Sequence, residues 1–358
     1  MFPMKTFKVL GLMSGTSLDG VDLAICSFSQ KDTSWNYVIE KTTTIPYTDD
    51  FIIRLKSAHR LSGLEFSILD NELGIYFGEL IYDFIKNERI DLIASHGHTI
   101  FHQPEIHLTK QIGNGAAIYA KTGIATTCDF RSVDVLLGGQ GAPLVPLGDQ
   151  LLFSEYDYRI NLGGIANTSY EENGVTKAYD ICPVNQVFNY IAEQLGQPYD
   201  DDGNIARNGQ LIPSLLNELN ALSFYNQSPP KSLGREWVEK HIFSQIENYK
   251  LEDFQHTFSI HVATQLANSI KKNNSKILIT GGGVYNSFLI KNLKILKPEA
   301  VIVIPNDTLI SFKEALIFAF LGLRGSLGKP TSLASVTGAK NDSLSMALYG
   351  HFNSNNIS

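Results

Sequence analysis

The sequence predicts an α/β protein of two domains, and three observations lead to this fold class. The chain has 358 residues, and since a single hydrophobic core stops growing at roughly 250–300 residues, two cores are expected. Apolar strand-like segments alternate with helical segments, which is typical of mixed sheets flanked by helices. A glycine-bearing hairpin opens each half of the chain, near residues 8–28 and again near residues 158–170, which indicates a weak internal repeat.

Composition restricts the class of function. Hydrophobic residues make up 43% and charged residues 18% of the chain, which excludes a disordered protein. A net charge of -7 argues against a large nucleic-acid footprint. The 3 cysteines exclude a disulfide framework and fit a reducing compartment. No segment approaches the roughly 18 apolar residues of a membrane span, so we expect a cytoplasmic protein with neither nucleic-acid nor membrane partners.

The first half of the chain is predicted to open with the hairpin and to continue with a mainly helical region. Two apolar, β-prone runs flank a turn-rich segment at residues 14–20, and this order of strand, turn and strand is typical of a hairpin. The predicted strands of this half span residues 8–12, 21–28, 91–94 and 124–128, and its helical segments span residues 50–87 and 116–121.

The domain crossing is predicted in the most turn-dense part of the chain, residues 137–146. We therefore expect an N-terminal domain over residues 1–145 and a C-terminal domain over residues 146–339, with a last segment of about 340–358 returning to the first. The predicted strands of the second half span residues 158–162, 165–170, 176–180, 276–280 and 300–304, and its helices span residues 185–194, 259–271 and 311–323.

The first motif that carries chemistry is the turn from Gly15 to Gly20, between two predicted strands. Glycines let backbone N–H groups approach an anion, and hydroxyl groups add donors. The turn is not a Walker A loop, because no lysine follows it and a strand stands where the helix would be. The pattern alone leaves two interpretations open, a phosphate-binding loop or an ordinary hairpin turn.

Two further motifs stand at the ends of predicted strands. The three glycines at 281–283 follow one strand, where backbone can pack flat against a nucleotide or a helix can pack closely against a strand. Asp180 ends another strand, where a carboxylate can act as a general base or cap the following helix. Both interpretations of each motif stay open from the residues alone.

Two charged residues and a group of three histidines are the remaining candidate functional residues. Arg131 can fork onto a carboxylate or phosphate, or form a salt bridge. Glu314 begins a strongly apolar helical run, where it either complements the helix N-terminus or reaches a ligand hydroxyl. His96, His98 and His102 have no cysteine or carboxylate at ligand spacing, which argues against zinc.

Taken together, these segments resemble one family. The chain is similar to the anhydro-N-acetylmuramic acid kinases, which belong to the actin-like and sugar-kinase superfamily, and the matching blocks follow the family order over nearly the whole chain. The blocks are GLMSGTSLDGVD (11–22), SHG (95–97), GGQGAPLVP (138–146), NLGGIAN (161–167), GRE (234–236), GGG (281–283), KEA (313–315) and VTGA (336–339).

The resemblance implies two actin-like (ribonuclease H-like) domains with an ATP cleft between them. It also implies a reaction in which water opens 1,6-anhydro-N-acetylmuramic acid, a small-molecule anhydro amino sugar, while O6 takes the γ-phosphoryl group of ATP. The products are N-acetylmuramic acid 6-phosphate and ADP, and Mg²⁺ neutralises the phosphates. The oligomeric state is left open, with a homodimer among the expectations.

The same resemblance assigns roles to individual residues. Asp180 is implied as the catalytic base that takes a proton from water. The implied contacts with ATP and its phosphates are Gly15, Thr16, Ser17, Leu18, Asp19, Gly20, Val21, Asp22, Gly163, Gly164, Gly281, Gly282, Gly283 and Asn286. The implied contacts with the sugar are Arg131, Glu314, Gln140 and His96.

The chain departs from the commonest family pattern beside the implied base. Where relatives often carry Asp-Thr-Gly-Pro-Gly-Asn, this chain has Asp-Ile-Cys-Pro-Val-Asn at residues 180–185. Side chains at Cys182 and Val184 could restrict backbone approach to phosphate. Two alternatives therefore stay open, a kinase of the same fold acting on another sugar and a non-catalytic actin-like nucleotide-binding protein.

Overall fold

The computed structural model describes residues 5–15 and 17–353. They fall into two compact units, of which the first combines the described residues up to Leu152 with those from Phe312 onward and the second is Phe153–Ser311. No helix in the described part of the chain is long and apolar enough to cross a membrane.

The elements alternate along the chain as strands and helices. The strands are β1 (Thr6–Ser14), β2 (Val21–Lys31), β3 (Ser34–Ile45), β4 (Leu92–Gln103), β5 (Leu108–Ile112), β6 (Thr126–Cys128), β7 (Tyr158–Leu162), β8 (Ile165–Glu172), β9 (Val175–Pro183), β10 (Lys276–Thr280), β11 (Val301–Val303) and β12 (Ala347–Tyr349). The α-helices are α1 (Asp49–Ser57), α2 (Gly63–Ile85), α3 (Gly115–Thr122), α4 (Ser132–Leu136), α5 (Val145–Leu152), α6 (Asn185–Gln194), α7 (Asn204–Asn208), α8 (Pro213–Asn220), α9 (Arg235–Val238), α10 (Ser244–Ile246), α11 (Leu251–Ser269), α12 (Ser287–Leu296), α13 (Asp307–Ser326) and α14 (Ala334–Thr337). Short 3₁₀ segments span Ala58–Arg60, Pro104–Ile106, Asp201–Gly203, Ser223–Asn226 and Gly282–Tyr285, and a π-helical segment spans Glu239–Phe243.

The two sheets share a core of five strands with the same order and directions, and the first sheet adds β12 and β5. In the first unit the order is β12-β6-β4-β1-β2-β3, with β5 paired to β4, and in the second it is β11-β10-β7-β8-β9. In each sheet three consecutive strands run antiparallel, and the first of them is extended on its other side by two parallel strands. This order and direction is that of a ribonuclease H-like domain, so the predicted fold class is confirmed.

The first hairpin follows from the residues of its strands. Strand β1 is mostly apolar, and its run from Val9 to Leu12 is wholly buried, as expected for a strand covered on both faces. The register pairs Leu12 with Leu23 and Ser14 with Val21. The six residues between Ser14 and Val21 are therefore left as the connecting turn.

Helix α2 covers one face of the first sheet. Ser62 Oγ accepts a hydrogen bond from the Glu65 amide and the Glu65 carboxylate accepts one from the Ser62 amide, so a capping box begins the helix. Leu69, Leu73 and Phe77 recur every four residues and are at most 1% exposed. They share one core cluster with the strands, and each burial stabilises the unit by about 1.5–3 kcal/mol.

The chain does not cross between the units at residues 137–146, where the crossing was predicted. It enters the second unit after Leu152, at the end of α5, and returns at Phe312, inside α13. The return comes before residue 340 because α13 packs directly on β1, where a methyl group on Gly11 would overlap the carbonyl oxygen of Ala315. Strand β3 was missed, although its exposed residues alternate with half-buried ones over much of its length, a pattern typical of a strand with one solvated face.

Candidate active site

Arg131 immediately precedes α4, and its guanidinium is held by two groups of the first unit. Its Nε and Nη2 donate to Nε2 of His96, at 3.1 and 2.9 Å. Its Nη1 donates to the carbonyl oxygen of Gly141 at 2.6 Å. These bonds use three of the five N–H groups of arginine, so the contacts with described residues leave two N–H groups for a ligand.

His96 is buried behind Arg131. Its Nδ1 lies 3.0 Å from the carbonyl oxygen of Gly97, which assigns the proton to Nδ1 and makes Nε2 the acceptor. Burial, and secondarily the Arg131 charge, lower the pKa of His96 to about 3, so the ring stays neutral. His96 is 4% exposed and its ring orients Arg131. A direct contact of His96 with the sugar stays a prediction.

Glu314 lies in the first part of α13, where surrounding groups cover part of the residue and part stays exposed to solvent. Burial among surrounding groups raises the pKa of its carboxyl, Arg131 and Lys313 oppose this effect, and Asp22 adds to it. Arg131, Glu314 and Asp22, which are distant in sequence, therefore interact electrostatically in the first unit. A guanidinium with free donors beside a carboxylate acceptor is suited to a polyhydroxylated ligand.

The turn that follows β1 has a specific internal structure. Leu18 has φ 61°, which is unfavourable for a residue with a side chain, and its amide donates to the carbonyl of Gly15 at 3.3 Å. Ser17 Oγ donates to the Asp19 carboxylate at 2.8 Å. Gly20 ends the turn, and Thr16 lies outside the described residues.

Two residues implied as phosphate contacts begin β2. Val21 is buried and paired with Ser14, so its side chain belongs to the core. Asp22 is half-buried and accepts a hydrogen bond from Thr44 Oγ1 at 2.5 Å. Burial raises the pKa of Asp22.

A group of buried polar side chains, which no sequence motif indicated, anchors the base of this turn. Ser14 Oγ lies 2.6 Å from the Tyr47 hydroxyl and 2.9 Å from Nδ1 of His98. Burial lowers the pKa of His98 to about 4, so a neutral ring completes the group. Because Ser14 directly precedes Gly15, these contacts fix where the turn starts.

A buried carboxylate, also missed from the sequence, holds the loop that carries Gln140. Asp134 accepts from the Gly141 amide at 2.8 Å and from Thr337 Oγ1 at 2.8 Å. Gln140 itself is exposed beside Gly141, whose carbonyl binds Arg131. The signal was an aspartate within an apolar run just before a glycine-rich loop, since such a loop needs acceptors for its buried amides.

Asp180 lies within β9 in the second unit, and the strand continues beyond it to Pro183. Its amide donates to the Lys231 carbonyl at 3.1 Å, and its Oδ2 accepts from the Leu233 amide at 2.9 Å. Helix α6 starts after Val184 without a side-chain cap, so the helix-cap interpretation is wrong. Burial raises the pKa of Asp180 and the Leu233 amide partly opposes this effect.

The glycine turn between β7 and β8 docks on the start of α6. The carbonyl of Gly164 accepts from the amides of Val184 at 2.8 Å and Gln186 at 3.2 Å, and that of Gly163 accepts from Asn185 at 3.2 Å. Strand β9 leads directly into this helix, so the turn and the strand that carries Asp180 form one rigid element of the second unit.

The glycines after β10 pack closely against β7. A methyl group on Gly281 would lie 2.7 Å from Oδ1 of Asn161, and one on Gly283 would lie 2.7 Å from Cβ of Leu162. Close packing therefore explains these two glycines, whereas Gly282 has more space, with Asn185 Nδ2 3.7 Å from a methyl group placed there.

Asn286 begins α12. It is buried, and its Oδ1 accepts from the Leu289 amide at 2.9 Å as the helix cap. This cap and the close packing of the glycines are local structural roles, and contacts of Gly281–Gly283 and Asn286 with adenosine stay predictions.

Residues 5–15 and 17–353 contain no group of three or more His, Cys, Asp or Glu side chains arranged for a metal. Mg²⁺ in phosphoryl-transfer sites needs only one or two carboxylates, because substrate phosphates supply further ligands. Asp22, with its carboxylate beside the glycine turn and bonded to a neutral hydroxyl, fits such a role.

A family model described as anhydro-N-acetylmuramic acid kinase matches residues 7–351 of the chain. The chain belongs to the anhydro-N-acetylmuramic acid kinase family. It is 36% identical over 372 residues to the kinase of that name from Mannheimia succiniciproducens, covering 95% of this chain and 97% of the relative. It is 33% identical over 365 residues to the one from Sulfurovum sp., covering 97% and 100%.

Among solved structures, the chain is similar to a ROK family glucokinase from Streptomyces griseus in complex with glucose and AMPPNP. The two chains are 10% identical, with a TM-score of 0.41, and the match covers 88% of this chain and 99% of that chain.

The structure explains the unusual segment of this member of the anhydro-N-acetylmuramic acid kinase family. Ile181 is 3% exposed, and Cys182 and Val184 are fully buried in the core cluster of the second unit. These side chains therefore point away from solvent, and they do not crowd a ligand that approaches Asp180 from the solvent side. The expected restriction of backbone approach is not supported.

Proposed function

We propose that this chain is an ATP-dependent kinase that opens 1,6-anhydro-N-acetylmuramic acid with water and phosphorylates O6. The observation that carries the proposal is the position of Asp180, a half-buried carboxylate held by the Leu233 amide within a strand. The family match over residues 7–351 supports the same reaction.

Asp180 acts as the base in the opening of the sugar ring. A water oxygen attacks C1 of the sugar, the C1–O6 bond breaks, and the water proton passes to the Asp180 carboxylate. The freed O6 attacks the γ-phosphorus of ATP and ADP leaves, so that O6 needs no base of its own. A raised pKa improves a carboxylate as a base near neutral pH, and burial acts in this direction at Asp180.

The first unit supplies the sugar contacts in this proposal. The two remaining N–H groups of Arg131 donate to the substrate, and the Glu314 carboxylate accepts from a sugar hydroxyl. The exposed Gln140 directly precedes Gly141, whose carbonyl holds Arg131. His96 is a positioning residue, because its neutral ring fixes the guanidinium.

The glycine turn is proposed to bind the phosphates through its backbone N–H groups, as such turns bind anions elsewhere. Asp22 would hold Mg²⁺, which neutralises developing charge on the phosphates when bound. The ATP contacts in the second unit, the cytoplasmic location and a homodimer also stay predictions.

The alternative of a kinase for another sugar rested on the residues after Asp180. Since Cys182 and Val184 are buried in the core, that sequence departure no longer favours it. The non-catalytic alternative is opposed by Asp180 and by the Arg131–Glu314 arrangement, because a nucleotide switch has no need for them.

The reaction is tested by mixing the protein with ATP, Mg²⁺ and 1,6-anhydro-N-acetylmuramic acid in ¹⁸O-water. We expect ADP release and, in product quenched early, one ¹⁸O on the sugar and a phosphate on O6, measured by mass spectrometry. Release of ADP without label in the sugar would contradict hydrolytic opening. The absence of turnover with any amino sugar would favour the non-catalytic alternative.

On acidification, turnover should fall at a higher pH than it would if the base were an aspartate with an ordinary pKa. Asp180 acts only when deprotonated, and since burial raises its pKa above 3.8, protonation begins closer to neutrality. The measurement is kcat against pH with saturating sugar and ATP. An acid limb at the pH of an unperturbed aspartate would show that burial does not tune this group.

His96→Leu should raise the KM for the sugar by about 10- to 100-fold, because it removes an acceptor from a charged donor and such bonds contribute about 1.5–3 kcal/mol. His96→Gln places an amide oxygen near the position of Nε2 and should restore much of the loss. Steady-state kinetics with each substrate varied tests this. Equal KM values for the two variants would remove His96 from the positioning role.

A further inference from the structure

The first unit contains a buried ion pair that the proposed reaction does not use. Lys313 on α13 and Asp149 on α5 lie 2.8 Å apart (Nζ to Oδ1), and their side chains are 6% and 5% exposed. A buried pair gains little net stability, because desolvation of both charges offsets their attraction. Its position, one residue before Glu314, points to a role in geometry.

The helical turn that carries Glu314 is held by two other close contacts. Strand β1 approaches so closely that a methyl group on Gly11 would overlap the Ala315 carbonyl. Helix α5 approaches so closely that a methyl group on Gly148 would lie 2.7 Å from Cγ2 of Ile317. These contacts limit the distance of α13 from its neighbours. The ion pair adds a contact that depends on the direction in which the Lys313 side chain leaves the helix, and therefore on the rotation of α13.

We propose that the Asp149–Lys313 ion pair is a positioning pair, which sets the rotation of α13 so that the Glu314 carboxylate faces the sugar. The proposal rests on the proposed function, in which Glu314 accepts from a sugar hydroxyl. In this proposal Lys313, whose side chain is 6% exposed, acts through the position of Glu314.

The pair also acts on Glu314 through charge. The charged groups that influence its carboxyl are Arg131 at the start of α4, Lys313 on α13 and Asp22 on β2. Lys313 lowers the pKa of Glu314 against the effect of burial. Removal of the Lys313 charge therefore raises the pKa of Glu314. When the solution is acidified, the variant should begin to lose sugar affinity at a higher pH than the wild type does.

The decisive variant is the double substitution Asp149→Asn with Lys313→Met, which removes both charges and keeps side chains of similar size. We expect the dissociation constant of the sugar, measured by calorimetry, to rise by about tenfold or more, with ATP affinity within twofold. The acid limb of sugar binding, which is the pH range in which affinity falls on acidification, should move to higher pH. Glu314→Ala serves as the reference for complete loss of this contact.

The matched control is the exposed pair Lys121–Glu79 of the same unit, whose Nζ and Oε1 also lie 2.8 Å apart. The double variant Glu79→Gln with Lys121→Met should leave sugar affinity and its pH dependence unchanged. If the buried double variant does not fold, Lys313→Arg replaces it. The arginine keeps the charge, so it should leave the acid limb in place and retain sugar affinity within about threefold.

The outcomes separate the two proposals. A wild-type protein that neither binds nor turns over the sugar overturns the proposed function, and the positioning role with it. The positioning role alone is overturned if the wild type is active and the buried double variant folds but behaves like it. Its dissociation constant for the sugar would then lie within twofold of the wild-type value, with the same dependence on acid pH. The positioning role alone is also overturned if Lys313→Arg shifts the acid side of the pH dependence of sugar binding, or if its sugar affinity is as low as that of Glu314→Ala.

Discussion

Asp180→Asn should lower turnover roughly 10²–10⁴-fold, the range that a general base contributes, and leave ATP affinity within a few-fold. Asparagine keeps the shape of the side chain and an oxygen for the Leu233 amide, so the strand and its loop stay in place. The amide cannot take a proton from water. Single-turnover kinetics and nucleotide titration measure the two quantities separately.

The matched control is Asp201→Asn, which neutralises an exposed carboxylate of the same unit. Its turnover should equal that of the wild type. Near-normal turnover in Asp180→Asn would remove Asp180 from the role of base. A parallel collapse of ATP affinity would instead assign the carboxylate to the nucleotide.

Gly11→Ala should destabilise the first unit by about 3 kcal/mol or more, at the upper end of the cost of overpacking a core. The added methyl group would overlap the Ala315 carbonyl and lie 3.1 Å from Cβ of Ala319. Because the obstacle is the backbone of α13, no side-chain rotation relieves it. At about 2–4 °C per kcal/mol, the thermal transition should fall by about 6–12 °C.

The displaced helix carries Glu314, so the folded fraction of Gly11→Ala should also bind the sugar more weakly, with ATP affinity less affected. Gly63→Ala is the control, because a methyl group on that first residue of α2 meets no atom within 4 Å. Its stability should stay within about 1 kcal/mol of the wild type. A Gly11→Ala protein as stable as Gly63→Ala would refute the close packing of β1 on α13.

Much of the fold could be predicted from local patterns. The paired hairpins, the alternation of strands and helices and the helix at Gly115–Thr122 follow from apolar periodicity and turn residues, which act over a few neighbours. Strand β3 could have been predicted from its alternating residues. The short strand β12 could not, because its pairing with β6 rather than its own three residues holds it extended.

The candidate site was predicted in part. Asp180, Arg131 and Glu314 stood out as charged residues in apolar or turn-rich surroundings. Asp134 and Lys313 did not, because a buried charge is recognisable only when its partner is known, and the partners lie 203 residues away at Thr337 and far back in the chain at Asp149. The structural roles of Gly281, which packs against β7, and of Asn286, which caps α12, likewise depend on those neighbouring elements.

The residues alone determined the class of fold, the order of its elements and the family motifs, since strand and turn preferences are local properties of the chain. Tertiary structure alone decided which charges meet. It placed His96 behind Arg131, turned Cys182 and Val184 into the core and paired Lys313 with Asp149. The physical reason is that electrostatic and hydrogen-bond interactions depend on distance in space, which residues far apart in sequence acquire only when the sheets and helices pack.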